Sequence, residues 1–455
     1  MRRSDIMIGM GLMAALALAG SCKNDDTDFG DAIPDAGFKP VEVVFSEEPL
    51  AEAEEDIDAD DNDYVENSSF RHTVAVVYTE DGAEVTGAEG VVDVVCEGGH
   101  VTVHSDSKRV AYQLSGSCSD GSFKVYSNNK FKLVLDGLKL HNPKGAAVNN
   151  QCGKSMYVVL PEGKDNMLSC GSQVTVPEGE DLKGAFFSEG QILISGKGKL
   201  HVASEYRNGL ATDDYLVIRP GSVIIVTSTA GNAVKANDGV SVRGSVLNLY
   251  TTYPGGKGIN CETAVTFSGG RTTVITEGGC LVEANDTTSS AAIKSDSTVC
   301  VTGGELNLLS RGDGGKGINA DRGIRIAGGQ VTAITMGHAR LASPNALKSG
   351  GDIEIAGGSV YAYSSHAQAV KTSGEAGVSW APDYVSLDKR GEWFFSINYS
   401  TFACANRLCI RSGGTPCKGV LKTHPSGQRP LVRGRLKSSF TTKLNMRNSC
   451  INYLK

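Results

Sequence analysis

Aromatic residues are scarce in this 455-residue chain: tryptophan occurs twice, and Phe, Trp and Tyr together make 6%. Aromatic packing therefore does not dominate its core. No long apolar run is present either; the longest, Ile6 to Leu18, is too short to cross a bilayer as a mature helix. The twelve cysteines lack paired spacings such as CxxC, which argues against a zinc site or a disulfide framework. GxSxG and HExxH motifs are missing and the eight histidines are scattered, so no catalytic nucleophile is identified. Acidic residues are missing altogether from Trp393 to Lys455, a stretch holding 11 Lys or Arg.

Glycine, by contrast, is abundant at 56 residues, which points to turns. Charge is unevenly spread. Residues 22–67 carry 17 acids and two lysines, whereas the net charge of the whole chain is only −7. Arg2-Arg3, the apolar run and Ala19-Gly20-Ser21-Cys22 read as an export signal over 1–21. Small residues before Cys22 resemble a bacterial lipobox, which implies acylation of Cys22, a lipid anchor and an outer-membrane lipoprotein of a Gram-negative bacterium. An ordinary secretory signal is the alternative. Lys23-Asn24-Asp25-Asp26-Thr27-Asp28 resembles signals that send such lipoproteins to the cell surface. The acidic stretch 22–67 reads as a solvated, flexible tether.

From about residue 70, short Val, Ile, Leu and Tyr runs alternate with Gly, Asp, Asn and Ser, as strands do with turns. One template starts at Ala185, Gly209, Ala233, Gly258, Ala292, Gly317, Ala346 and Ala369, at intervals of 24, 24, 25, 34, 25, 29 and 23. Each unit holds three short strands, and a diglycine such as Gly303-Gly304 joins the last two at a corner. The expected fold is all-β: a right-handed parallel β-helix over 68–374, with coils of about 24–25 residues. A propeller blade needs about 40 residues and does not fit the period.

Column by column, the repeat has an inside and an outside. Phe186, Leu210, Val234, Ile259, Ile293, Ile318, Leu347 and Val370 form one inward ladder; Ser188, Thr212, Ala236, Cys261, Ser295, Ala320, Ser349 and Thr372 form a second. Outward positions show Phe187, Ala211, Lys235, Asn260, Lys294, Asn319, Lys348 and Lys371 beside an acidic column from Glu189 to Asp321. Lys235, Asn260, Lys294, Asn319 and Lys348 are the candidate carbohydrate-binding residues. Carboxylates stacked about 4.8 Å apart suit calcium, with Asp213, Glu262, Asp286, Asp296 and Asp321 as candidate ligands. The opposing reading is a ladder in which Lys and Asp balance charge.

Two insertions, Gly278 to Ser290 and Met336 to Asn345, break the period. Gly255-Gly256-Lys257 and Gly314-Gly315-Lys316 resemble a phosphate loop superficially but lack its spacing and helix, and read as corners. A lyase would need a lysine or arginine base beside calcium; here the lysines recur as a column, whereas a base is normally singular.

Tyr112-Gln113-Leu114-Ser115-Gly116-Ser117-Cys118-Ser119-Asp120-Gly121, Leu133-Val134-Leu135-Asp136-Gly137-Leu138 and Gly145-Ala146-Ala147-Val148, followed by the repeats, resemble a carbohydrate-binding β-helix family first recognised in cellulose-degrading clostridia. The resemblance covers about 84 to 374. It implies a pectate-lyase-like fold, binding of acidic plant polysaccharide or cellulose, and association with calcium, without lyase activity. Asn237 and Gly350 depart from the family's more regular aspartate column.

After Lys371 the template departs at Gly374-Glu375-Ala376-Gly377. The basic segment 375–455 is a divergent cap, a polymer-contacting segment or the product of out-of-frame translation. The leading expectation is a non-catalytic surface lipoprotein that binds polysaccharide, polyuronate or cellulose, with calcium. A calcium-dependent polysaccharide lyase and an adhesive structural protein are the alternatives. No nucleic-acid partner is expected.

Overall fold

The computed structural model describes residues 42–50, 55, 57–284 and 286–380, with short strands at 384–386, 395–398, 401–404, 407–412 and 431–432. The expected signal peptide and Cys22 lie outside the described residues. The described chain is a parallel β-solenoid of about 11 turns, and its single helical element is the 3-10 turn Val65–Asn67.

One side of the solenoid is a single sheet of eleven parallel strands running from Gly99–Ser105 to Val370–Thr372, edged by the antiparallel strand Asp93–Glu97. The other two sides share a second sheet, because strands such as Gly323–Thr335 and Ile353–Ser364 bend through a diglycine and serve both. The bend needs glycine. Gly304 has φ 77°, and a Cβ there would lie 2.5 Å from the carbonyl oxygen of Gly270 in the coil below.

The expected inward ladder is in register from Phe186 to Val370, and each member is essentially inaccessible to solvent. It continues upstream through Val148, Phe123 and Val101, so regular coils begin well before Ala185. Each buried rung contributes roughly 1.5–3 kcal/mol of apolar burial. The second ladder is buried as well, and its hydroxyls satisfy corner carbonyls: Ser188 Oγ donates to Gly190 O at 2.7 Å and Ser295 Oγ to Thr263 O at 2.6 Å.

A hydroxyl ladder absent from the sequence reading closes the third side: Ser204, Ser228, Thr251, Thr276, Ser310, Thr335 and Ser364 stack in register and are buried. Their hydroxyls donate to turn carbonyls, of their own coil as Ser310 Oγ does to Lys316 O at 2.6 Å, or of the preceding coil as Thr251 Oγ1 does to Gly231 O at 2.6 Å.

Parts of the outer faces of the second and third sides are apolar and covered by the chain between 42 and 70, whereas Thr266, Arg325 and Glu354 on the second side and Met167 on the third are exposed. Tyr250, Ile275, Leu309, Ile334 and Tyr363 align along the third side, where Val43 packs on the cluster and Phe45 meets Tyr250 edge-on. On the second side Tyr157, Leu193 and Val217 lie under Val65 and Phe70.

Val43, Phe45, Val65 and Phe70 lie in or beside the acidic segment expected to be a solvated tether. Over its described residues that segment is a strap against the solenoid. Arg219, only 5% exposed, pairs with Glu55 at 3.0 Å and Glu66 at 2.7 Å and lies 4.5 Å from the Tyr64 ring centre. Arg243 pairs with Asp63 at 2.8 Å, and Lys199 with Glu47 at 2.6 Å. Local composition predicts a self-repelling chain; basic residues on the coils supply the missing partners.

At the far end, Val378–Trp380 pairs in parallel with Ile353–Ile355, so the template's second strand recurs once beyond the point where the sequence departs from it. Arg407–Ser412 pairs antiparallel with Ser359–Tyr363.

Candidate functional site

The strap overlays parts of the second and third sides, and the outer face of the first side carries the most regular polar column. Its central column reads Thr102, Lys124, Asn149, Phe187, Ala211, Lys235, Asn260, Lys294, Asn319, Lys348 and Lys371, one residue per coil and in register throughout. The structure thus brings all five expected carbohydrate-binding residues into one line.

The upstream half of this face is closed. Phe187 and Ala211 point outward as alternation requires, yet both are fully buried. The segment between Gly171 and Lys183 lies over them: Leu182 is buried, and Lys183 Nζ sits 5.9 Å from the Phe187 ring centre. Glu180 in the same segment pairs with Lys124 at 2.8 Å and accepts a hydrogen bond from Tyr126. The signal was present in the sequence, since a phenylalanine in a Lys/Asn column is out of place on an open surface.

From Lys235 to Lys371 the central column is half-buried and flanked by the acidic one, whose Glu262, Asp296 and Asp321 are exposed. Lys294 Nζ lies 2.7 Å from Asp296 in its own coil and 2.7 Å from Asp321 in the next. Lys235 pairs with Glu262 at 2.6 Å. Asp213 is held by Lys183, which also pairs with Asp181 at 2.8 Å. Under that loop, burial and then the charges of Asp213 and Asp181 push the Glu189 carboxyl above its ordinary value. Burial, aided by the charge of Lys294, pushes Lys257 below the usual lysine range.

The carboxylates proposed for calcium are therefore engaged by lysine ammonium groups. Asp286 is not in their column: it sits in a hairpin opposite Glu283, where its carboxylate accepts the Thr287 amide at 2.8 Å. Among the described residues no group of three or more His, Cys, Asp and Glu is gathered closely enough to hold a metal ion. Calcium prefers six to eight oxygens, so the protein's own donor set does not complete such a site.

The two insertions meet at the corner motif. Lys316, 3% exposed, donates from Nζ to Gly314 O at 3.0 Å, to Ser343 O at 3.0 Å and to Ser289 Oγ at 3.2 Å. One ammonium thus ties the corner to both period-breaking loops. Burial, with the charges of Lys348 and Lys371, pushes it down to about 8. With its three donors spent internally, this lysine is a clamp and offers nothing to a phosphate.

The family model for carbohydrate-binding domain-containing proteins matches residues 97–369, a stretch that takes in ten of the eleven first-side parallel strands and stops just before the last, Val370–Thr372. A protein of that description from Acetivibrio thermocellus is 30% identical over 118 residues, which is 25% of this chain and 41% of the relative, so the match spans less than half of that relative's length. A solved structure, of a polysaccharide lyase-like protein from C. thermocellum as a gadolinium derivative, aligns with 68% of this chain and 97% of its own, at 18% identity and a TM-score of 0.36. Since the family model covers well over half of the sequence, this chain belongs to the carbohydrate-binding domain-containing protein family.

Proposed function

We propose that this chain is a non-catalytic binding protein that holds an anionic polysaccharide across the first side of the solenoid, along Lys235, Asn260, Lys294, Asn319, Lys348 and Lys371. The observation that supports it is the in-register Lys/Asn column, continuous over six coils on the outer face of the first side. Lys235, Lys294 and Lys348 stand on alternate coils, about 9.6 Å apart at two strand spacings, with an asparagine between each pair to hydrogen-bond hydroxyls.

Existing ion pairs do not oppose this. Pairs with exposed carboxylates such as Glu262, Asp296 and Asp321 are worth only about 0–1 kcal/mol, so a sugar carboxylate exchanges for an aspartate at little cost. A calcium ion joins this reading by bridging: Asp213, Glu262, Asp296 or Asp321 would supply one or two oxygens and uronate groups the others. Acylation at Cys22, with an outer-membrane lipoprotein exposed at the cell surface, completes the proposal, and globomycin-sensitive processing tests it.

The direct test is retention of the protein on polygalacturonate and on cellulose, with calcium and with a chelator. Retention on polygalacturonate that the triple variant K235M/K294M/K348M loses is expected, with no growth of the absorbance of unsaturated uronate products. Absence of retention on every polysaccharide under both conditions overturns the binding reading, and accumulation of unsaturated products overturns the non-catalytic one.

A further inference from the structure

The first coils carry a concave surface, separated from the lysine face by the segment that covers Phe187 and Ala211. It is a cleft of about 690 Å³, within the range of roughly 300–1,000 Å³ typical of small-molecule sites. Its floor includes one register row across neighbouring strands, Asp93 opposite His104 and His104 beside Tyr126, and Gln151 also lines it. The turns after two of these strands add Asp106 and Asn128 to the wall.

Several of these side chains are held by contacts of their own. The His104 and Tyr126 rings stack with centroids 4.7 Å apart and planes within 7°, which leaves one face of each ring turned away from the other. Tyr126 is anchored through its hydroxyl to Glu180. Asn128 Nδ2 donates to Asp106 Oδ1 at 3.2 Å. Gln151 spends its amide on Asn149 Oδ1 at 2.7 Å and Asp181 O at 2.8 Å, which leaves its carbonyl oxygen as an acceptor. Among the described residues, the Asp93 carboxylate and the His104 ring nitrogens have no hydrogen-bond or ion-pair partner.

We infer that this cleft is a separate saccharide subsite that takes a neutral sugar unit. Carboxylate and amide oxygens pair with vicinal hydroxyls, and an aromatic ring accepts the C–H face of a pyranose. Two carboxylates line the cleft and no lysine or arginine does, so a uronate is repelled where a neutral hexose is not. The downstream face has the opposite bias. This inference extends the polysaccharide-binding reading to another part of the solenoid, and it names a different sugar class.

The test uses the full chain and two soluble probes, cellotetraose and tetragalacturonate, with affinities measured by calorimetry. Two cleft variants, H104A and D93N, and one face variant, K294M, are compared; thermal melting establishes that each is folded, and D93N keeps shape while removing charge. The expected result is that H104A and D93N each weaken cellotetraose by about tenfold and leave tetragalacturonate unchanged, while K294M does the reverse. If cellotetraose does not bind, or binds with equal affinity to H104A and D93N, the cleft inference is wrong, whereas the anionic-face reading stands on the tetragalacturonate arm alone.

Discussion

Lys294 reaches out of its own coil to Asp321 of the next, with Nζ 2.7 Å from the carboxylate oxygen. A side chain that bridges coils on an open face could serve stability or binding, and magnitudes separate the two. Both of its acidic partners are about half exposed, at 51% and 55% for the side chains, so the pairing contributes less than about 1 kcal/mol. K294M is therefore expected to change the melting temperature by less than about 2 °C while lowering retention on polygalacturonate by about three- to tenfold. A variant that melts much earlier yet binds as before would mark Lys294 as structural.

The strap presents the contrasting case. Arg219 is buried, stacked near Tyr64 and paired with two glutamates, so R219M leaves Glu55 and Glu66 without a counter-charge at a covered surface. A loss of roughly 1–3 kcal/mol is expected, discounted because Glu66 is partly exposed. Limited proteolysis reports it directly, through faster cleavage between Ile57 and Phe70 in R219M than in the natural chain.

Acid should release the same strap. Burial pushes the Glu66 carboxyl up, but the Arg219 hydrogen bond and charge outweigh it and the net direction is down; for Glu47 the Lys199 hydrogen bond dominates and lowers it. Groups with depressed folded values add stability that is present above the unfolded value near 4.5 and is lost as pH falls through the folded one. Strap protection against an acid-active protease is expected to hold at pH 6 and to fade below about 4.5. Equal protection at pH 3 and pH 6 would contradict the assignment.

How much of this was visible in the sequence depends on which forces leave a local trace. The ladder from Phe186 to Val370 was legible because stacked coils demand the same residue type at the same interval. Val101, Phe123 and Val148 belong to it but fall outside the legible period, since the covering segment between Gly171 and Lys183 stretches the step from Val148 to Phe186. The Lys/Asn column is legible as one face because strand alternation fixes it. That Phe187 and Ala211 are covered, and that calcium's expected carboxylates are held by lysines, depends on side-chain reach, which spacing does not encode. The docking of the strap leaves no local trace for a related reason: Arg219 and Arg243, more than 150 residues away in sequence from their acids, carry the charges that hold it.

Lys316 gives a further pH-dependent expectation. Its folded value of about 8 lies below the ordinary 10.5, so the unfolded chain binds this proton more tightly. The group therefore detracts from stability below about 8, and that cost is relieved as pH rises toward 10.5. In K316M the slope disappears. The stability of the natural chain relative to K316M, read as urea midpoints, should increase from pH 7 to pH 10; a constant difference would show that the ammonium is not taxed by burial. Independently of pH, K316M removes three donors from the junction of the two insertions, and faster cleavage within 281–289 and 336–345 is expected.

The diglycine corners make the last prediction, because there the backbone alone decides. Gly304 has φ 77°, a region that residues with a Cβ seldom occupy, and its added methyl would lie 2.5 Å from Gly270 O and 2.7 Å from Gly269 C of the neighbouring coil. Those atoms are backbone of the stacked strand and cannot rotate aside. Gly90 has a similar φ of 68° but open space where its Cβ would be. G304A should thus incur both the conformational strain, about 1 kcal/mol, and the clash, whereas G90A incurs the strain alone. Melting curves of the two variants separate these contributions. If G304A were no less stable than G90A, close coil stacking would not be the reason for the repeated diglycine, and the turn conformation alone would explain it.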